Sequence, residues 1–145
     1  LLKALKKINE LQIIFTGPNN DPGNEFIISK IKKFCYQNPV KFKFYSHLGS
    51  KLYHSLVANV DFNVGNSSSL LYEVPFFGKY SFNIGSRQEG RLSGESVVNI
   101  KGDFNKIYRI INKYSNKKKS IKIKNPYYKK NSTNKTINYF HRYLL

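Results

Sequence analysis

Three short stretches of the chain gather the residue types that hold a phosphorylated ligand. Gly65-Asn66-Ser67-Ser68-Ser69 sets three hydroxyls directly ahead of an apolar run. Small hydroxyl residues at a helix start offer side-chain donors and unpaired backbone N–H groups, and together with the helix dipole these favour a phosphate. The same residues suit plain helix capping, a reading that Ser67 or Ser68 alone leaves open. Glu73 follows Ser69 by one helical turn, on the same face. A carboxylate beside a phosphate is repulsive unless it has another task, and accepting hydrogen bonds from a ribose diol is such a task. Its alternative is a solvated helix residue. Serines on phosphate with an acid on ribose describe a site for a nucleoside diphosphate.

The second stretch, Gly85-Ser86-Arg87-Gln88-Glu89-Gly90-Arg91, carries two guanidiniums whose rigid forks suit phosphate oxygens. Arg87 lies nearer the end of the preceding strand, whereas Arg91 is equally well read as a surface residue. The third, from Gly17 to Gly23, brings Asn19, Asn20 and Asp21 to the same edge, where turn-forming chemistry accounts for them without a ligand. Asn66 and Ser69 complete the candidate set. No acid-base or nucleophilic centre assembles from the remaining residues. His47, His54 and His141 lack metal-ligand spacing, no Ser sits in a G-x-S-x-G elbow, and neither a metal nor a cofactor is expected.

Alternating elements position these stretches. Residues 1–8 read as the last turns of a helix with Leu1, Leu2, Leu5 and Ile8 inward. Strands are expected at 11–16, 40–45, 60–64, 80–84 and 97–100, each but the fourth leading towards a helical segment. The helix over 24–36 takes Asn24 as its cap and turns Ile27, Ile28, Ile31, Phe34 and Cys35 inward; that over 50–59 buries Leu52, Leu56 and Val57. Asp103 caps a further helix with Ile107, Ile110, Ile111 and Tyr114 on its inner face. Parallel strands need crossovers of about a dozen residues, so the alternation predicts an α/β fold with a parallel sheet covered on both faces. In such sheets ligands bind beyond the carboxyl ends of the strands, where all three stretches fall. The domain is expected over residues 1–115, followed by a Lys-rich surface segment over 116–133 and a docking helix over 134–145.

Composition sets the outer limits. The chain has 145 residues, 25 Lys and Arg against 8 Asp and Glu, and a formal charge of +17, most of it after residue 100. The Lys run near residue 117, followed by Tyr127 and Tyr128, could contact nucleic acid, but 17 Asn against 2 Ala points to a compositional bias that loads solvated faces with Lys. Nucleic acid is therefore disfavoured as a partner. A single Cys35 excludes a disulfide framework or a Cys-cluster metal site and reads as a buried thiol in a reducing compartment. No apolar run reaches the length of about 18 residues that a membrane span needs, so a soluble, cytoplasmic protein is expected. The absence of Met, even at position 1, suggests a piece of a longer polypeptide.

The motifs Phe15-Thr16-Gly17-Pro18-Asn19-Asn20-Asp21-Pro22-Gly23, Gly65-Asn66-Ser67-Ser68-Ser69 with Glu73-Val74-Pro75, and Asn83-Ile84-Gly85-Ser86-Arg87-Gln88-Glu89-Gly90-Arg91 resemble the C-terminal domain of UDP-N-acetylglucosamine 2-epimerases, the hydrolysing branch above all. Asn125-Pro126-Tyr127 is similar to a late element of that family. The resemblance spans about residues 12 to 130. It implies a Rossmann-like, doubly wound parallel sheet forming the C-terminal half of a glycosyltransferase-B-like two-domain enzyme. It further implies that Ser67 and Ser68 bind the diphosphate of UDP, Glu73 the ribose, and that Arg87 and Asn19 line the nucleotide-sugar cleft. The implied partners are a UDP-sugar, an N-terminal domain that brings the acids and bases of the reaction, and further copies of the full-length chain. One departure stands out: Leu70-Leu71-Tyr72 follows the serines where the family usually has Gly, which would hinder backbone approach to a phosphate. The non-hydrolysing epimerases and hydrolysing enzymes acting on a diacetamido UDP-sugar are the related alternatives. A basic nucleic-acid-binding module is the alternative of another class.

Overall fold

Phe82, at the centre of the longest strand among the described residues, is fully buried, and the layers of the molecule build outward from it. The computed structural model describes residues 1–19, 21–115 and 124–144. Its elements in order are α1 (Leu2–Lys6), β1 (Ile13–Thr16), α2 (Asn24–Tyr36), β2 (Phe42–Tyr45), α3 (Gly49–Asn59), β3 (Phe62–Gly65), α4 (Ser69–Tyr72), a 3₁₀ turn (Val74–Phe77), β4 (Tyr80–Ile84), β5 (Val97–Ile100), α5 (Phe104–Ser115) and α6 (Ser132–Leu144). Every strand pair is parallel, as the alternation requires. The fold is α/β and Rossmann-like.

Both faces of the β3-β4-β5 sheet are covered. Alternate β4 residues point opposite ways, and Phe82 meets Ala4, Leu5, Ile8, Ile100, Ile107 and Ile111 in one apolar cluster built from α1 and α5. The expected inner faces are observed at Leu5 and Ile8 and at Ile107, Ile110, Ile111 and Tyr114, whereas Leu1, at the chain's edge, is 42% exposed against expectation; Asp103 caps α5 as read, its Oδ1 accepting from the Lys106 N–H at 2.8 Å. On the other face Val57 of α3 packs with Leu70, Leu71 and Val74. Ser81 and Asn83 share the face of β4 opposite Phe82 and are buried, Asn83 Nδ2 donating to Asn99 Oδ1 at 2.8 Å.

The strands form two sheets, β1-β2 and β3-β4-β5, rather than the single sheet expected. Ile13 and Phe15 of β1 and Phe62 and Val64 of β3 pack on the same cluster, so the sheets share a core without sharing a ladder. A cleft of about 1750 Å³ lies between them, lined by both β1 and β3. The physical reason lies in α3, which buries Val57 against α4 and Val74 and leaves Leu52 61% exposed. The expectation that Leu52 points inward is thus corrected, and so is that for Ile27, which is 49% exposed and lines the cleft with Ile14.

Three local expectations also change. Gly23, left-handed at φ 85°, caps α2 in place of Asn24, which has become its first residue and donates from Nδ2 to the Asn19 carbonyl at 3.3 Å. Cys35 is half-buried rather than buried, and that partial burial pushes its thiol pKa up. The terminal helix forms from Ser132, and all of its described residues are exposed, so the docking expected of it is not made here. The Lys-rich run over 116–123 lies outside the described residues, as do Asn20 and Leu145. No described helix is long and apolar enough to cross a membrane.

Phe82→Ala should lower unfolding stability by about 3–5 kcal/mol, the range for emptying a buried aromatic site. Tyr36→Ala, at a position 87% exposed, should stay within about 0.5 kcal/mol. Urea denaturation followed by far-ultraviolet circular dichroism measures both.

Candidate functional site

The three strand-end loops meet at one edge of the molecule. After β1, Gly17 takes a position that only glycine fits: its N–H donates to the Tyr45 carbonyl at 2.9 Å, and a Cβ there would fall on the Ser46 carbonyl oxygen. This close approach holds the loop after β1 against the end of β2. Asn19 lines a small cavity with Gly17, Pro18, Ser46 and His47. Asp21 reaches across to the loop after β4, where its Oδ2 accepts from Arg87 Nη2 at 3.2 Å. Gly85, left-handed at φ 85°, turns that loop out of β4.

The loop after β3 carries the hydroxyls. Tyr53 on α3 donates to Ser69 Oγ at 2.7 Å, and Ser69 Oγ donates in turn to Ser67 Oγ at 3.2 Å. Ser67 Oγ also accepts from the Ser69 N–H at 3.3 Å, a turn contact ahead of the helix rather than a cap. Ser68 is the N-cap residue, yet its hydroxyl makes no capping bond. Helix α4 is only four residues long, which curtails the dipole contribution expected from the sequence. Leu70, 4% exposed, packs with Val57, Leu71 and Val74.

Glu73 sits between α4 and the 3₁₀ turn, half-exposed, with Oε2 at 2.8 Å from His54 Nε2. Burial raises the Tyr53 hydroxyl above the usual tyrosine range; the Glu73 charge adds to the rise, and the bond to Ser69 works against it. The loops after β3 and β4 are joined by Gln88, 5% exposed, whose Nε2 donates to the Asn66 carbonyl at 2.8 Å. Arg91 turns aside to the Tyr72 hydroxyl at 3.4 Å. Behind it Asn125 donates to the Tyr72 carbonyl at 3.3 Å, and the Tyr127 ring packs edge-on to Tyr72 with its hydroxyl on the Leu92 carbonyl at 2.6 Å.

Residues of all three loops are thus named by the sequence, but Tyr53, His54 and Gln88, which hold them, receive no role there. Only Gln88 had a local signal, as the residue beside Arg87 in the same turn. The arrangement combines hydroxyl donors, a guanidinium and a half-open carboxylate, a set suited to phosphate oxygens and a neighbouring diol. Among the described residues no three His, Cys, Asp or Glu side chains come together as a metal site needs.

Tyr53 stays protonated when exposed tyrosines ionise, so folding retains a proton that the unfolded chain loses above about pH 10. Its contribution to stability is complete below that pH and falls as pH rises towards the folded pKa. Tyr53→Phe should remove one late-ionising group from a tyrosinate absorbance titration and soften the alkaline loss of stability.

The family model described as UDP-N-acetylglucosamine 2-epimerase matches residues 1–141. The polysialic acid biosynthesis protein P7 of Escherichia coli is 38% identical over 128 residues, covering 86% of this chain and 32% of that protein. The GDP/UDP-N,N'-diacetylbacillosamine 2-epimerase (hydrolyzing) of Campylobacter jejuni is 38% identical over 98 residues, 68% of this chain and 26% of its own length. A UDP-N-acetylglucosamine 2-epimerase of Neisseria meningitidis is 33% identical over 109 residues, 75% of this chain and 28% of its own. The chain spans about a third or less of these relatives. With a family match over nearly its whole length, it belongs to the UDP-N-acetylglucosamine 2-epimerase family.

Proposed function

We propose that this chain is the UDP-binding C-terminal part of a hydrolysing UDP-N-acetylglucosamine 2-epimerase, the second half of a glycosyltransferase-B-like pair of domains. The observation that carries the reading is the joining of three strand-end loops at one edge, by Arg87 to Asp21 and by Gln88 to Asn66. Ser67 and Ser68 hold the diphosphate, Arg87 offsets its charge, Glu73 accepts from the ribose hydroxyls, and Asn19 lines the nucleotide-sugar cleft. Asp21, Asn66 and Ser69 support these groups, and Arg91, turned to Tyr72, stands behind them. The reaction removes UDP by elimination across C1 and C2 of the sugar and adds water to the glycal, yielding N-acetylmannosamine and UDP for the synthesis of sialic-type acids. The acids and bases belong to the partner domain, so this segment alone binds nucleotide without turnover.

A second reading concerns the sugar. Two of the relatives are named for hydrolysing a diacetylbacillosamine nucleotide, the one from Campylobacter jejuni and one from Legionella pneumophila that is 32% identical over 117 residues. The residues of this edge face nucleotide in either case and do not distinguish the two sugars. The nucleic-acid reading rests on Lys residues that lie largely within 116–123, outside the described residues, and no comparison favours it.

UDP at 100 times its Kd should add about 2.7 kcal/mol of stability and raise the melting temperature. Ser68→Ala and Glu73→Ala should each reduce that rise, and a melting curve that millimolar UDP leaves unmoved would count against the nucleotide site. Product analysis separates the reaction readings: incubated with the complete enzyme and UDP-N-acetylglucosamine, a hydrolysing epimerase releases free N-acetylmannosamine, and a non-hydrolysing one yields UDP-N-acetylmannosamine. Turnover of UDP-N,N'-diacetylbacillosamine in preference to UDP-N-acetylglucosamine would select the second sugar.

A further inference from the structure

Glu73 is held by the chain's own side chains. His54, in the middle of α3, places Nε2 at 2.8 Å from Glu73 Oε2, and because an ionised carboxylate only accepts, that nitrogen is the donor. The imidazole is fixed in turn between aromatic neighbours, with the Tyr53 and Phe77 ring centroids each 5.8 Å from its own. The two side chains are 45% and 44% exposed, so the pair stands at the open edge of the serine turn rather than inside the core. One residue earlier on the same helix, Tyr53 holds Ser69. Consecutive residues of α3 therefore brace both ends of the Ser69–Glu73 turn.

We propose that His54 is a positioning residue for diol recognition: by holding Oε2 it orients Glu73 so that Oε1 is presented to the ribose hydroxyls. The inference rests on the nucleotide reading given above and names the group that makes its carboxylate effective. A surface glutamate loses rotamer freedom when a ligand fixes it, and one already fixed by a neighbour loses less. The opposing effect, competition of the imidazole for the carboxylate, is the smaller one, since a carboxylate offers about four lone-pair positions and His54 takes one.

Calorimetric titration of UDP and of 2′,3′-dideoxy-UDP into the protein and its His54→Leu, His54→Gln and Glu73→Gln variants tests this. His54→Leu should weaken UDP roughly three- to tenfold, the scale of one charge-assisted hydrogen bond at a partly exposed site. It should leave the dideoxy nucleotide within about twofold, as expected for an uncoupled change. His54→Gln, which keeps an N–H donor, should recover most of the UDP affinity. Equal weakening of both nucleotides by His54→Leu would mark a general structural effect and overturn the proposal, as would UDP binding unchanged from the parent protein. Failure of the underlying site looks different: the parent protein would bind the two nucleotides alike and Glu73→Gln would change neither, which removes the ribose role of Glu73 and this proposal with it.

Discussion

Parallel pairing is the constraint from which the rest of this structure follows. A strand cannot pass to a parallel neighbour through a tight turn; the chain must leave at the carboxyl end, cross over, and re-enter at the amino end. Pairing of β3 with β4 therefore releases their loops at one edge, where Gln88 meets Asn66, and the Arg87–Asp21 bond brings the loop after β1, from the separate β1-β2 sheet, to the same edge. The apolar cluster around Phe82, Ile107 and Ile111 matters to the site mainly because it keeps these strands aligned. A ligand-binding edge is thus a product of topology before any particular side chain is considered.

The two faces of β4 divide the labour of the domain. Phe82 on one side supplies hydrophobic burial, while Ser81 and Asn83 on the other are buried polar groups that a purely structural strand would avoid. Strand β4 packs with α4 and the 3₁₀ turn, which α3 braces through Tyr53 and His54. Stability is concentrated on the α1 and α5 side, and polar chemistry on the side that leads to the site. The gap between β1 and β3 belongs to the same division, since α3 packs with α4 and leaves the β1-β2 pair joined to the rest through the shared core.

What the sequence made legible was whatever depends on near neighbours. The strands at 80–84 and 97–100 stand where alternation and turn residues set them, and Asp103 caps α5 because an Asx cap is a contact over three residues. The Gly-Asn-Ser-Ser-Ser turn was readable for the same reason. Contacts over longer separations were not. Ile27 and Leu52 satisfy a helical period, yet periodicity cannot say whether a partner lies against that face, and here both are exposed. His54 and Tyr53 look like interruptions of an apolar face until α4 is set beside α3, and Gln88 looks like a spacer between two arginines until the Asn66 carbonyl is above it.

Magnitudes indicate which of these links carries the alignment of the loops. The Arg87 and Asp21 side chains are 50% and 66% exposed, and an ion pair in that setting contributes about 0–1 kcal/mol. The Gln88 amide is buried, and removing a buried hydrogen-bond partner costs about 1–3 kcal/mol when a polar group is left unpaired. Gln88, with the glycine contact at Gly17, is accordingly the stronger tie, and the ion pair is the weaker. Under the proposed function that order is the useful one. Arg87 can exchange the Asp21 carboxylate for a phosphate at little expense, because its loop is held in place by Gln88 and not by the pair that must open.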